Sequence, residues 1–367
     1  MAFDVAIVGG GIIGCALAWR LAREGASVAL LERGEIGQEA SWAAGGQLVP
    51  AAEPGRPRQL VDHWVASARM YPRFVEELRE ETGAQLELRF CGRLSVATDE
   101  SSLDQLRQHY ARQGPAGVRV EWWSAAQVRA AEPALPEVLG GIHWVDDGFV
   151  ENRRVVPALA RAAAKRGAQL RTWTPVARVL VERDRAHGVE LVGGERVAAG
   201  AVVNAAGAWA GQVGGATPVP VGPSKGQMAA LEPSSMPVGR IVGFPGVTVV
   251  PRADGRLLLA ATKESVGYDK RTTLWAVEHL LRHTLSHLPG LRDSTFVEAW
   301  TGLRPRAEDE VPLVGESVVA GLYYATGHYS MGITSAPATA EALTGLLLRG
   351  RSPLPIDAFS PRRFEAS

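Results

Sequence analysis

The chain has 367 residues, 46% hydrophobic and 21% charged, with 39 basic and 39 acidic side chains. That length fits one large core or two domains sharing an interface, and the balanced charge offers no electrostatic footprint for nucleic acid or an acidic membrane. Two cysteines, Cys15 and Cys91, form no metal pattern and suit a reducing cytoplasm. No apolar run reaches the ~20 residues of a membrane span, and the chain enters its first strand too early to leave room for a signal peptide.

Asp4 to Val8 reads as a short buried strand, and Gly9-Gly10-Gly11-Ile12-Ile13-Gly14 follows it as G-x-G-x-x-G. Ile13, Leu17 and Leu21 then recur at helical spacing until Gly25; Ser27 to Leu31 is a second apolar strand closed by Glu32. Gly9 permits the tight turn, Gly11 lets a pyrophosphate approach the backbone, and Gly14 lets helix and sheet pack closely. The helix N-terminus offers N–H groups and partial positive charge to a phosphate. Glu32 is placed to accept hydrogen bonds from a ribose diol. The strand–turn–helix context is what separates this motif from a chance glycine-rich turn.

The small-residue stretch after Glu32, with Ser41, Ala43, Ala44, Gly45 and Gly46, can lie against the same flat ligand. Arg58 to Glu81 is amphipathic and predicts a long helix, with a kink or break just before Pro72. Leu86 to Ala97 predicts a strand pair or bent strand, Ser101 to Gln113 a helix, and Val118 to Trp123 a strand. Ser124 caps a short helix, and Gly140 to Val145 is another strand. Strands outnumbering helices here point to an inserted, largely antiparallel domain. A turn at 146–152 leads to a helix over Arg153 to Arg166, followed by strands at Gln169 to Arg171 and Thr174 to Val181 and a hairpin across Gly193-Gly194. Ala201 to Trp209 (AVVNAAGAW) reads as a buried strand ending in small residues before a helix, which would bring Ala206, Gly207 and Trp209 beside the first phosphate turn. Val219 to Leu231, Val247 to Pro251 and Arg256 to Ala261 are strands, Leu274 to Leu288 a helix, and Thr295 to Leu303 a strand leading into Arg304-Pro305. Two further strands, Val311 to Val314 and Leu322 to Ala325, precede a closing helix over Ile333 to Leu348.

The chain thus weaves twice between a nucleotide-binding unit and a strand-rich one. We assign 1–84, 146–217 and 311–367 to the first and 85–145 and 218–310 to the second. The fold class is α/β, a Rossmann-like FAD-binding domain interwoven with a mostly antiparallel substrate-binding domain. FAD suits this weave better than a nicotinamide, because its isoalloxazine ring must be gripped at a domain boundary. The segment Ala325-Thr326-Gly327-His328-Tyr329-Ser330-Met331-Gly332-Ile333 can approach such a ring, with the following helix N-terminus facing the anion formed on reduction.

Taken together, VAIVGGGIIG, Glu32, SWAAGG, DDGFVEN, TPVARV, VVNAAGAWA, PSKGQ, VPRADGRLLLAAT, GLRP and GHYSMGITSAPATA resemble the D-amino-acid oxidase family of flavoproteins, and within it the glycine oxidases of thiamine biosynthesis. The resemblance runs essentially from end to end. It implies non-covalent FAD at Ile12, Ile13, Glu32, Arg33, Glu39, Ala40, Ala44, Gly45 and Gly46, with Val176 on the adenine side. His328, Tyr329, Ser330, Met331, Gly332, Ile333 and Thr334 would close over the flavin. Arg304 matches the arginine that holds the substrate carboxylate, and a planar guanidinium can do so with two parallel hydrogen bonds.

The resemblance also shows departures. Thr248 and Ser330 stand where glycine oxidases carry a tyrosine and a second arginine, which leaves room for amines other than glycine. Lys263 stands near a methionine position; it is either a solvated lysine or an ammonium near the flavin that assists oxygen. No cysteine follows Arg304 to attach the flavin. The implied reaction is oxidative deamination of a small amino acid or secondary amine of glycine, sarcosine or D-amino acid type. Hydride passes from the α-carbon to flavin N5, the imine hydrolyses to a keto or aldehyde acid, and O2 is reduced to H2O2. No metal is implied. A dehydrogenase passing electrons to a quinone or other acceptor, and a non-catalytic flavin-binding subunit, are the alternatives; a homo-oligomer is left open.

Overall fold

The computed structural model describes residues 2–50, 55–111, 117–216 and 218–364. Two large sheets organise it. The first is built around strand Phe3–Val8, which pairs in parallel with Val28–Leu31 on one side and Arg196–Asn204 on the other. Gln169–Arg171 extends it beyond Val28–Leu31, and Leu322–Thr326 continues it beyond Arg196–Asn204. At the centre of this sheet, residues 5–8, Val28–Leu31 and 202–204 are runs buried on nearly every position, as a parallel sheet covered by helices requires, whereas edge strand Gln169–Arg171 is not. Helix Ile12–Arg23 buries ten of its twelve residues, and helices Asn152–Lys165 and Gly332–Arg349 pack against it. No helix among the described residues is long and apolar enough to cross a membrane.

Arg196–Asn204 does two jobs. Its first half pairs antiparallel with Arg185–Leu191, and its second half joins the parallel sheet. The hairpin strand and the buried strand anticipated as separate pieces are therefore one strand. The helix expected after it is a short 3-10 helix, Gly207–Gln212.

The second sheet has eight strands in the order 295–307, 221–232, 257–260, 247–251, 241–244, 93–97, 140–144, 120–124. All its neighbours are antiparallel except 241–244 with 93–97. Strand Ile241–Phe244 was not anticipated: its run IVGF is short and lies between prolines. Strand Thr295–Ala307 does not end at Leu303 but runs on through Arg304 and Pro305. A proline is tolerated there because this is the edge strand, and Pro305 faces Pro223 in the register. The expected strand pair over 86–97 is instead divided: Leu88–Arg89 joins a small sheet with Gln47–Leu48 and Gly148–Val150, while Arg93–Ala97 joins the second large sheet.

The long helix is Arg58–Thr82, unbroken at Pro72. Pro72 lies on the exposed face, while Tyr71, Phe74 and Leu78 bury the opposite one. The missing N–H therefore affects the solvent side, and packing of the inner face keeps the helix continuous. The Tyr71 hydroxyl donates to the Ile333 carbonyl, tying this helix to the start of the closing one. The helix expected over 101–113 spans Glu100–Ala111; its anticipated last two positions lie outside the described residues. Ser124 caps Ala125–Ala131 with a complete capping box.

Candidate active site

Strand Phe3–Val8 is followed by a helix that returns to one side, while its other neighbour, Arg196–Asn204, arrives from elsewhere in the chain. This is a topological switch point, where open α/β sheets bind ligands beyond the strand ends. The two turns there touch. Ala205 donates its N–H to the Val8 carbonyl (2.9 Å), and a Cβ on Gly9, whose φ is 109°, would lie 2.4 Å from the Ala205 carbonyl oxygen. A Cβ on Gly14 would lie 2.0 Å from the Gly9 oxygen, so helix and turn pack as closely as glycine allows. Above Gly11, by contrast, only the Ser41 hydroxyl comes within 4 Å.

Glu32 straddles this turn. One carboxylate oxygen accepts the Gly10 N–H (2.7 Å) and the other the Gly34 N–H (2.9 Å). Each oxygen retains acceptor capacity for another donor. Ser41 accepts the Ile12 N–H (2.9 Å). Arg33 stacks on Trp209, 3.6 Å from its ring centre, and pairs with Glu39, which also holds Lys270.

One cavity of about 710 Å³ joins these groups to the second sheet, a volume in the usual range of cofactor sites. Its nucleotide-side wall includes Gly9, Gly11, Ile12, Ile13, Glu32, Arg33, Val176, Ala206, Gly207 and Trp209. Glu39, Ala40, Ser41, Ala44, Gly45 and Gly46 line it next, followed by His328 through Ile333. Thr248, Lys263 and Arg304 line it from the strand-rich side. The positions expected at the site thus converge, with two exceptions. Gly14 lies behind the wall because it packs on Gly9, and Thr334 is buried and donates to the Gln47 carbonyl (3.1 Å). Both support the lining rather than form it.

Arg304 is fixed by its surroundings. Its Nη1 donates to the carbonyls of Lys225 (3.3 Å) and Thr262 (3.2 Å). Its guanidinium lies over Gly226, where a Cβ would meet Nη1 at 2.3 Å. Gly226 is therefore part of the site, although PSKGQ alone gives no hint of what its glycine makes room for. His328 is fully enclosed and within 3.1 Å of the Thr339 hydroxyl; burial, with His63 nearby, pushes its pKa down to about 3. It is neutral at physiological pH and acts as a packed wall residue. Tyr329 holds a left-handed φ of 50°, and exposed Lys263 sits 5.8 Å from its ring centre.

Two further residues escaped the sequence reading. Buried Arg252 donates to the carbonyls of Gly45 (2.6 Å) and Val150 (3.2 Å), and Asn152 donates to the Ser41 carbonyl (2.7 Å). Together they fix the small-residue loop. Their signal was the motif VPRADGR and the DDGFVEN turn, but nothing in either motif shows which carbonyls they reach.

The open approach at Gly11, the glycine-tight turns and the acceptor pair of Glu32 fit the pyrophosphate and ribose of a dinucleotide. The small-residue loop and the 328–333 turn border the same cavity, which has room for a ring system beside the dinucleotide groups.

Comparison with known proteins points the same way. Residues 4–346 match the family described as DAO, FAD dependent oxidoreductase. The glycine oxidase of Geobacillus kaustophilus is 34% identical over 98% of this chain and 97% of its own length. A crystal structure of glycine oxidase from that species superposes with a TM-score of 0.93, covering 99% of both chains. The bifunctional protein ThiO/ThiG of Synechocystis is 36% identical over 98% of this chain but 54% of its own greater length. The iminodiacetate oxidase of Chelativorans sp. BNC1 is 28% identical, with a TM-score of 0.87 over 97% of this chain and 98% of that one.

Proposed function

Because this chain belongs to the FAD-dependent oxidoreductase (DAO) family, we propose that it oxidises the C–N bond of a small amino acid or secondary amine, with dioxygen as the final electron acceptor. FAD is the cofactor; when bound, it supplies the two-electron acceptor that no side chain can provide. The names of the relatives, glycine oxidase and iminodiacetate oxidase, support an amine bearing a carboxylate.

The observation that carries this reading is the Arg304 guanidinium, held over Gly226 in the same cavity as Glu32. Glu32, the Gly9–Gly14 turn and the 40–46 loop hold the dinucleotide. Segments 85–145 and 218–310 form the substrate side. Arg304 binds the substrate carboxylate and thereby places the α-carbon within the cavity that the flavin ring shares. A hydride can leave that carbon only when the amine is neutral, so that its lone pair can form the imine. The lining mixes the apolar Met228 and Ala260 and the neutral His328 with polar side chains, and desolvation by its apolar part together with the positive charge of Arg304 disfavours the ammonium. No side-chain base is required.

The test is Arg304→Ala in FAD-loaded enzyme. Substrate affinity should fall by about 100-fold or more, the scale of a lost charge-assisted pair, while flavin content is retained. Equal affinity in parent and variant would remove Arg304 from the site. Hydrogen peroxide formed in step with amine consumed tests the acceptor; dye reduction without peroxide would assign the electrons to another carrier.

A further inference from the structure

The cavity that holds Arg304 also carries polar groups that the proposed reaction does not use. Thr248 and Gln47 both line the cavity. Among the described residues, neither the Thr248 hydroxyl nor the Gln47 amide has a hydrogen-bond partner. Both are half-buried, and polar groups in that position favour a ligand that can pair with them.

Register places Thr248. It stands opposite Ala260, beside strand Val221–Glu232, whose Ala229 faces Leu259. The residues between Gly226 and Thr248 on this wall are Met228 and Ala260. Beyond Thr248 the register continues to Gly243, which has no side chain to close the space. With ~4.8 Å between strands and ~3.4 Å per residue, the Thr248 Cα lies about 12 Å from the Gly226 Cα, beneath the guanidinium. A carboxylate on Arg304 and a hydrogen bond to Thr248 take up most of that span. What remains is about 4 Å beyond the carboxyl carbon, which a substituent of two or three atoms would cross. Gln47 approaches from the small-residue loop: its Nε2 and the Met228 methyl both border the space above Gly45, at 3.5 and 3.3 Å from where a Cβ would be.

We propose that Thr248, assisted by Gln47, selects amino acids whose short side chain ends in an uncharged hydrogen-bonding group such as a hydroxyl. The inference rests on the amine-oxidase reading and names its substrate class. Glycine leaves both groups unpaired, and an apolar side chain of equal size desolvates them without compensation. A site built to pair with a hydroxyl discriminates against the analogue lacking it more strongly than an apolar pocket discriminates by size.

The experiment compares FAD-loaded enzyme on serine and homoserine with their apolar isosteres, 2-aminobutyrate and norvaline, as both enantiomers. In at least one pair the hydroxyl member should have the higher kcat/KM, by about tenfold, the scale of one hydrogen bond. Thr248→Val should bring that ratio close to one, mainly through KM, while Thr248→Ser restores it. Gln47→Leu should narrow it. If apolar amino acids bleach the flavin and the hydroxyl members do no better, or if Thr248→Val leaves the ratio unchanged, this inference falls while the amine-oxidase reading stands. If no amine bleaches the flavin, both fall together.

Discussion

Replacing Gly226 with alanine places a methyl carbon where the Arg304 guanidinium now lies. The new Cβ would be 2.3 Å from both Nη atoms and 2.4 Å from Cζ. Ordinary carbon contacts need ~3.5 Å, so the guanidinium must move by about 1 Å or more. It can do so cheaply, because it is the end of a flexible side chain rather than backbone. Stability should therefore change by less than about 1 kcal/mol, with alanine's lower backbone entropy partly offsetting the displacement. The site should suffer much more. A 1 Å error in a positioning group can cost about 100-fold in rate, and the two carbonyl contacts that aim Arg304 would be lost. The assay is kcat/KM for the best amine, alongside flavin absorbance and Tm. We expect kcat/KM down by about 100-fold with flavin content and Tm near the parent values. Unchanged kinetics would refute the claim that Gly226 seats Arg304, and so would a loss confined to FAD binding.

Glu32→Gln should weaken FAD by about 10- to 100-fold, read by fluorescence titration of apoprotein, because charge-assisted acceptors become weaker neutral ones. Arg252→Met should destabilise the protein by about 2 kcal/mol in denaturant unfolding, since it leaves the buried Val150 carbonyl and the half-buried Gly45 carbonyl without the Arg252 donor. Acid should destabilise the fold. Burial lowers His63 to about 4 and His328 to about 3, so as pH falls below ~6.5 the unfolded chain binds protons the folded one refuses. Each histidine then costs about 1.4 kcal/mol per pH unit down to about pH 4. Buried Asp147, raised to about 6, works in the opposite direction: its contribution is present at low pH and lost as pH rises through 6. Between pH 6 and 4 the net loss is about one histidine's worth, and His63→Leu should flatten it when unfolding free energy is followed across that range.

Most of the nucleotide half was legible because its chemistry is local. A strand, three spaced glycines, a helix and Glu32 occur within one stretch, and their periodicity and turn chemistry point to the same structure. The strand-rich half was harder. Strand Ile241–Phe244 is too short to show a period, and the split between Leu88–Arg89 and Arg93–Ala97 depends on partners far away in the chain. Pro72 misled because propensity concerns one residue, whereas the buried face of Arg58–Thr82 sums over many. Arg304 could be named from GLRP, but not the glycine beneath it: that contact joins neighbouring strands, and only the register brings Gly226 to Gly302. Arg252 and Asn152 escaped for the same reason, since both act on loop carbonyls more than 100 positions away.

The central claim is that one cavity presents a carboxylate-bearing amine to FAD from the Arg304 side. Mixing the FAD-loaded protein anaerobically with a panel of amino acids and N-methyl amino acids tests it most directly. The account predicts that at least one of them bleaches the flavin absorbance, and that the Arg304→Ala protein, equally yellow, keeps its colour at the same concentration. Bleaching of parent and variant alike, or of neither by any amine, would contradict it.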